Sequence, residues 1–96
     1  MVIELLKFSI PCEEYETFFE RNEAVWAAGL REHAGFVRHE VLRNRQVPEE
    51  VYISIYWESY EAWQAFPKER IAALDEQMQP HWKSVDCLAL DLMHRD

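Results

Sequence analysis

Trp57-Glu58-Ser59-Tyr60-Glu61-Ala62-Trp63 closes one structural element and opens another. Upstream of it, Val51-Tyr52-Ile53-Ser54-Ile55-Tyr56 is rich in β-branched and aromatic residues with a period of two, the signature of a strand. Downstream, a helical pattern begins at Ser59, whose hydroxyl is suited to accept a hydrogen bond from an otherwise unpaired first-turn N–H. The strand ends in Trp57, and Trp63 falls one turn into the helix. Two indoles are thereby expected at one strand-to-helix corner.

Working outward, the same reasoning partitions the rest of the chain. Val2 to Ile10 reads as a first strand, apolar on both parities, with Pro11 ending it. Residues 12–33 read as the clearest helix. Tyr15, Phe18, Phe19, Asn22, Trp26, Gly29, Leu30 and His33 form its apolar stripe, and most of the acids fall outside it. Gly29 within that stripe marks a kink or a close backbone contact, and Gly35 is a natural stop. Phe36 to Asn44 is a second strand, and a polar connection through Pro48 leads back to the third, Val51 to Trp57. After the short helix from Ser59 to about Phe66, Pro67 can open a second piece with Ile71, Leu74, Met78 and Trp82 on one stripe and Pro80 ending it. Val85 to Met93 is the last strand. The order is βαββαβ, a ferredoxin-like α+β topology with both helices on one face of a four-stranded antiparallel sheet.

Ninety-six residues make one domain, 1–96, with a thin core. The chain is nonetheless 49% apolar and 14% aromatic, more than one small core readily hides, which points to an oligomer. The second parity of strands one and four needs a cover, and the simplest is the same face of a second subunit. Eighteen acids against ten bases, net −8 with no basic run, exclude nucleic acid and an anionic membrane surface as main partners. The opening residues do not read as a signal peptide, and no run reaches spanning length, so a soluble cytoplasmic protein is expected. Cys12 and Cys87 are far apart, and the four histidines lack close spacing, so no metal site is implied.

Ala34-Gly35-Phe36 entering strand two, and Trp57-Glu58-Ser59 followed by Ala62-Trp63, carry a resemblance to a known family. The chain resembles the dimeric α/β-barrel superfamily of antibiotic-biosynthesis monooxygenase (ABM) domains. The Val2-Ile3-Glu4-Leu5-Leu6-Lys7-Phe8 opening, with Glu23-Ala24-Val25-Trp26, looks like a small branch of it. The resemblance implies a homodimer and an apolar pocket between helices and sheet. It implies a cofactor-independent monooxygenase, or related enzyme, acting on a small aromatic or polyketide-like molecule that itself supplies electrons to oxygen. The alternative on the same fold is a non-catalytic module that binds or carries a small ligand. Haem-degrading members bind haem through a His on the second long helix, with a Trp earlier in it and an Asn in the first strand. Trp63 matches the Trp, but Ile71-Ala72-Ala73-Leu74 offers no ligand and the first strand offers only Glu4 and Lys7. Haem degradation is the least supported activity, and no cofactor is expected.

Polar groups on an apolar stripe must find partners or face a cavity. Asn22 on the first helix is therefore a candidate catalytic, ligand-orienting group, and His33 near its end a candidate in substrate binding. His81 after Pro80 is a candidate base at the pocket mouth, since an unperturbed imidazole titrates near neutrality. Trp63 and Trp26 are expected to line the substrate pocket, whereas Trp57 is expected to close the strand end. Tyr52, Tyr56 and Tyr60 are aromatic packing residues that can also bring a phenol to a cavity.

Overall fold

The structure, a computed structural model, describes residues 1–78, 82 and 84–95. Strands β1 (Val2–Ser9), β2 (Phe36–Arg43), β3 (Glu50–Trp57) and β4 (Ser84–Asp91) form one antiparallel sheet in the order β2-β3-β1-β4. With helices between β1 and β2 and between β3 and β4, this is the ferredoxin-like arrangement the element order predicts.

Helical structure starts with a 3₁₀ turn, Cys12–Glu14, and runs through α1 (Tyr15–Asn22), a π turn (Glu23–Ala27) and α2 (Ala28–Arg31). The irregularity expected at Gly29 lies one turn earlier, in the π turn. Gly29 serves the other expected purpose, a close approach. A Cβ there would sit 3.0 Å from Leu74 Cδ1, so the helix backbone rests directly on α4 (Lys68–Met78). Two side-chain links reinforce that seam: Arg70 to Glu32 at 2.6 Å, and the Arg21 guanidinium donating to the Gln77 carbonyl. Phe19 departs from the predicted stripe. It is 42% exposed and stacks on Tyr15, while Phe18 is wholly buried.

Gly35 ends the helical run with φ of +92°, a left-handed conformation that disfavours any side chain. Its carbonyl accepts from Glu58 N–H at 2.8 Å, and a Cβ on it would lie 2.5 Å from the Ala62 Cβ. That contact pins the start of β2 to the corner. As the sequence predicts, the Ser59 hydroxyl caps the short helix α3 (Tyr60–Gln64), accepting from Ala62 N–H at 3.1 Å.

Register assigns the faces. Val2, Glu4, Leu6 and Phe8 of β1 share the helix-covered face with Val51, Ile53, Ile55 and Trp57 of β3. Ile3, Leu5 and Lys7 share the outer face with Leu90, Leu88 and Asp86 of β4, their Cα partners. On the covered side Phe18, Val25, Leu30, Phe66, Leu74, Met78 and Trp82 complete the core. Phe18 meets Phe8 and, edge-on, Trp82, whose Nε1 donates to Glu14. The predicted helix stop at Pro80 lies outside the described residues.

Candidate functional site

The core is not filled throughout. Between α1, the π turn, α4 and the covered face of the sheet lies a cavity of about 190 Å³. All four tryptophans of the chain, Trp26, Trp57, Trp63 and Trp82, line it, and among the described residues the polar groups on its wall are Glu4, Asn22, His39 and Asp75. A mostly apolar concavity with a few converging polar groups is the usual build of a small-molecule site.

Asp75 comes from α4, and the other three polar groups each arrive by a different local route. Asn22 is the last residue of α1, 1% exposed, and its side-chain Nδ2 has no hydrogen-bond partner among the described residues. Such an orphan N–H costs about 1–3 kcal/mol when nothing accepts from it. The π turn starts at the next residue and carries Trp26 to the same cavity; widened turns of this kind recur at functional sites. Glu4 comes from the middle of β1, where strand alternation aims it under the helices. Trp57 Nε1 donates to its Oε1 at 3.2 Å. Burial pushes the Glu4 carboxyl above its ordinary range, against the opposing effect of that hydrogen bond. His39 stands on β2 with its side chain only 9% exposed and its Nε2 3.7 Å from Glu23. Burial lowers its pKa, and the Glu23 carboxylate works the other way.

Of the residues singled out in the sequence, the structure brings Asn22, Trp26 and Trp63 together on one wall. His33 stands off it: its Nε2–H donates to the Ala62 carbonyl at 3.1 Å, and its ring meets Trp57 and Phe66 edge-on. It ties the end of the helix to the corner. His81 lies outside the described residues. Trp57 closes the strand end as expected, 1% exposed, and is also part of the wall. Tyr52 and Tyr56 alternate with the covered residues of β3 and so sit on the outer face, where Arg38 lies 4.0 Å over the Tyr56 ring. Tyr60 is largely exposed, edge-on to Trp63.

Glu4 and His39 were not among the sequence candidates. Glu4 had a visible signal, a lone acid on the same parity as Val2, Leu6 and Phe8. His39 had none, because a bulge between Phe36 and Arg38 shifts the parity of β2. Among the described residues, no cluster of three or more His, Cys, Asp or Glu is placed to hold a metal ion. Nor is any helix there long and apolar enough to cross a membrane.

A βαββαβ domain with an aromatic cavity between helices and sheet defines a class, and comparison with known proteins gives it a family. The chain belongs to the antibiotic biosynthesis monooxygenase family, whose model matches residues 1–84. Among solved structures it is similar to SnoaB, a cofactor-independent oxygenase from Streptomyces nogalater. The two share 21% identity over 98% of this chain and 94% of that one, with a TM-score of 0.72. It is similar as well to the haem degrader MhuD from Mycobacterium tuberculosis, with 19% identity over 100% and 99% of the chains and a TM-score of 0.80. MupZ from Pseudomonas fluorescens superposes with a TM-score of 0.72 at 15% identity, over 92% of this chain and 69% of that one. Identities this low establish the shared fold alone. No curated protein matches the chain.

Proposed function

We propose that this protein is a cofactor-independent monooxygenase, or a closely related enzyme, that acts on a small aromatic molecule held in the cavity. The observation that carries this is the orphaned Asn22 amide on a wall lined by four indoles. A buried N–H without a partner is tolerated when a ligand oxygen completes it. In such an enzyme the electrons come from the substrate. The protein's work is to hold a flat ring between apolar walls, exclude water, and stabilise the negative oxygen that forms on deprotonation. Trp26 and Trp63 supply the walls, and Asn22 Nδ2 supplies the donor.

Size narrows the ligand. An apolar cavity of about 150 Å³ is enough for benzene, so a volume of about 190 Å³ suits one ring or a compact fused pair. A porphyrin is far larger. Ile71 to Leu74 of α4 offers iron no ligand, and the Nε2 of His39, on β2, lies 3.7 Å from the Glu23 carboxylate. The residues described do not fit haem. The proposed enzyme is a homodimer closed through the outer face of the sheet.

Tryptophan emission reports on the cavity, because every indole of the chain lines it. Phenols and quinols of one or two rings are expected to quench it and, in air, to consume oxygen. Asn22→Leu should lower turnover about 10²-fold, the usual loss when one donor to a developing oxyanion is removed. Its melting temperature should hold or rise, since the orphan N–H is gone. Trp63→Ala should weaken binding more than it weakens the fold, whereas Trp57→Ala should cost about 3–5 kcal/mol of stability. Quenching without oxygen consumption across the panel would favour a carrier. A fall in stability of Asn22→Leu with binding unchanged would make Asn22 structural.

A further inference from the structure

Glu4 is a costly residue to keep where it is. It lies between Val2 and Leu6 on the covered face, with Ile55 and Ala89 as its neighbours across the sheet. A carboxylate there loses most of its hydration, and one hydrogen bond from Trp57 is what it receives in return. The ion pairs among the described residues fall elsewhere, and no Lys or Arg among those residues pairs with it. If stability were its purpose, an apolar residue would serve better at this position. Instead a carboxyl lines the same cavity as the orphaned Asn22 donor. Beside His39 and Asp75, the wall thus offers a buried carboxyl as a proton acceptor and, among the described residues, one unsatisfied donor.

We infer that Glu4 takes the proton from an acidic hydroxyl of the aromatic molecule bound in the cavity, which rests on reading that cavity as an aromatic-binding site. The substrate O–H bond breaks, its electron pair stays on the substrate oxygen, and the proton goes to a Glu4 carboxylate oxygen. The Trp57 bond fixes the carboxyl while this happens. Charge is conserved within the cavity: a carboxylate and a neutral hydroxyl become a neutral acid and a phenolate. Glu4 and the substrate hydroxyl therefore never carry two negative charges at once, which the apolar walls would resist strongly. Burial already raises the proton affinity of Glu4 toward that of an acidic phenol. Asn22 Nδ2 is on hand to stabilise the new anion. The substrate class follows. Its hydroxyl must be acidified by conjugation, as in a hydroxyquinone or a hydroxyaryl ketone, and an alkanol would not react.

The test uses 4-nitrophenol, whose phenolate absorbs in the visible, with the wild-type chain and Glu4→Gln at a pH below the probe's own pKa. Gln keeps an oxygen for Trp57 Nε1, and binding of 4-nitroanisole, followed by tryptophan quenching, checks that the variant cavity is intact. With Glu4 as acceptor, the ratio of ionised to neutral bound probe should be about tenfold higher in the wild type than in Glu4→Gln, equivalent to about one pH unit. If Glu4 were only a buried anion, it would repel the phenolate, and the ratio would be lower in the wild type. That result, or equal ratios with both probes bound, overturns the inference and leaves the cavity reading standing. Failure of both probes to quench the wild type overturns the two together.

Discussion

The two faces of the sheet are built from the same strands, with similar residues, yet they end in opposite states. On the covered face Val51, Ile53, Ile55 and Trp57 are each at most 4% exposed. On the outer face Leu42, Leu88 and Leu90 are 42–49% exposed, and Ile3 and Leu5 lie beside the last two. What differs is the supply of cover. The helical run from Cys12 to Arg31 and the helices α3 and α4 all lie on one side. Alternation in a strand thus reports the demand for burial and says nothing of where the cover comes from. The covered face also does something the outer face does not: with the helices over it, it leaves a void ringed by two carboxyls, an amide and an imidazole.

The sharpest way to break this contrast is to charge the outer face. If a second subunit covers it, the interface should bury on the order of 1,600 Å² or more. Leu88→Lys would then place an unpaired ammonium in an apolar contact and weaken association by about 2–5 kcal/mol. Light scattering at micromolar concentration should give twice 11.5 kDa for the wild type and 11.5 kDa for the variant. A wild type already at the lower mass would remove the second subunit from the picture. The outer leucines would then be ordinary exposed residues.

The cover is anchored by two close approaches, Gly35 at the corner and Gly29 against α4, and the two glycines predict different outcomes. Gly35→Ala must adopt a left-handed φ and meet Ala62 Cβ at 2.5 Å. The conformation costs roughly 1–2 kcal/mol and the overlap about 1–3 more. Thermal unfolding should show a loss of more than about 10 °C for a domain of this size. Gly29→Ala meets only the flexible end of Leu74, at 3.0 and 3.2 Å, and gains about 1 kcal/mol of helix propensity. It should stay within about 1 kcal/mol of the wild type. Equal effects at the two sites would show that the corner is looser than its geometry implies.

Much of this was legible because local chemistry and global fold agree at Ser59, Gly35 and the alternating run through β3. A cap, a left-handed stop and a strand period each have one inexpensive structural solution. The π turn was not legible: widening one turn leaves the apolar spacing of residues 18–30 nearly helical, so composition carries no trace of it. The β2 bulge hid His39 in the same way, by changing parity without a Gly or Pro to mark it. Asn22, Trp26 and Trp63 could be singled out because polar and bulky groups on an apolar stripe demand explanation. Glu4 met the same criterion on a strand. Its meaning depended on which parity the helices cover, and that is a tertiary fact.

The smallest expected effect lies in the pH dependence of the covered face, where two groups pull in opposite directions. Burial holds the His39 pKa below its ordinary 6.5. Between those two values the unfolded chain binds a proton that the folded chain does not. Stability must therefore fall as pH drops through 6.5 toward the lowered value, with a slope no steeper than about 1.4 kcal/mol per pH unit. Glu4 is raised above 4.5, so the folded chain takes up its proton first, and acidification through that window favours folding. Urea midpoints for wild type and His39→Gln between pH 5 and 7, at one protein concentration because association also shifts them, isolate the first effect. The variant should lose the downward trend on acidification below pH 6.5. Glu23, Arg31 and Glu40 all act on His39, so the trend should survive a change at any one of them. If His39→Gln and the wild type track each other throughout, the imidazole is hydrated in the folded protein, and the covered face is wetter at the β2 edge than at Trp57.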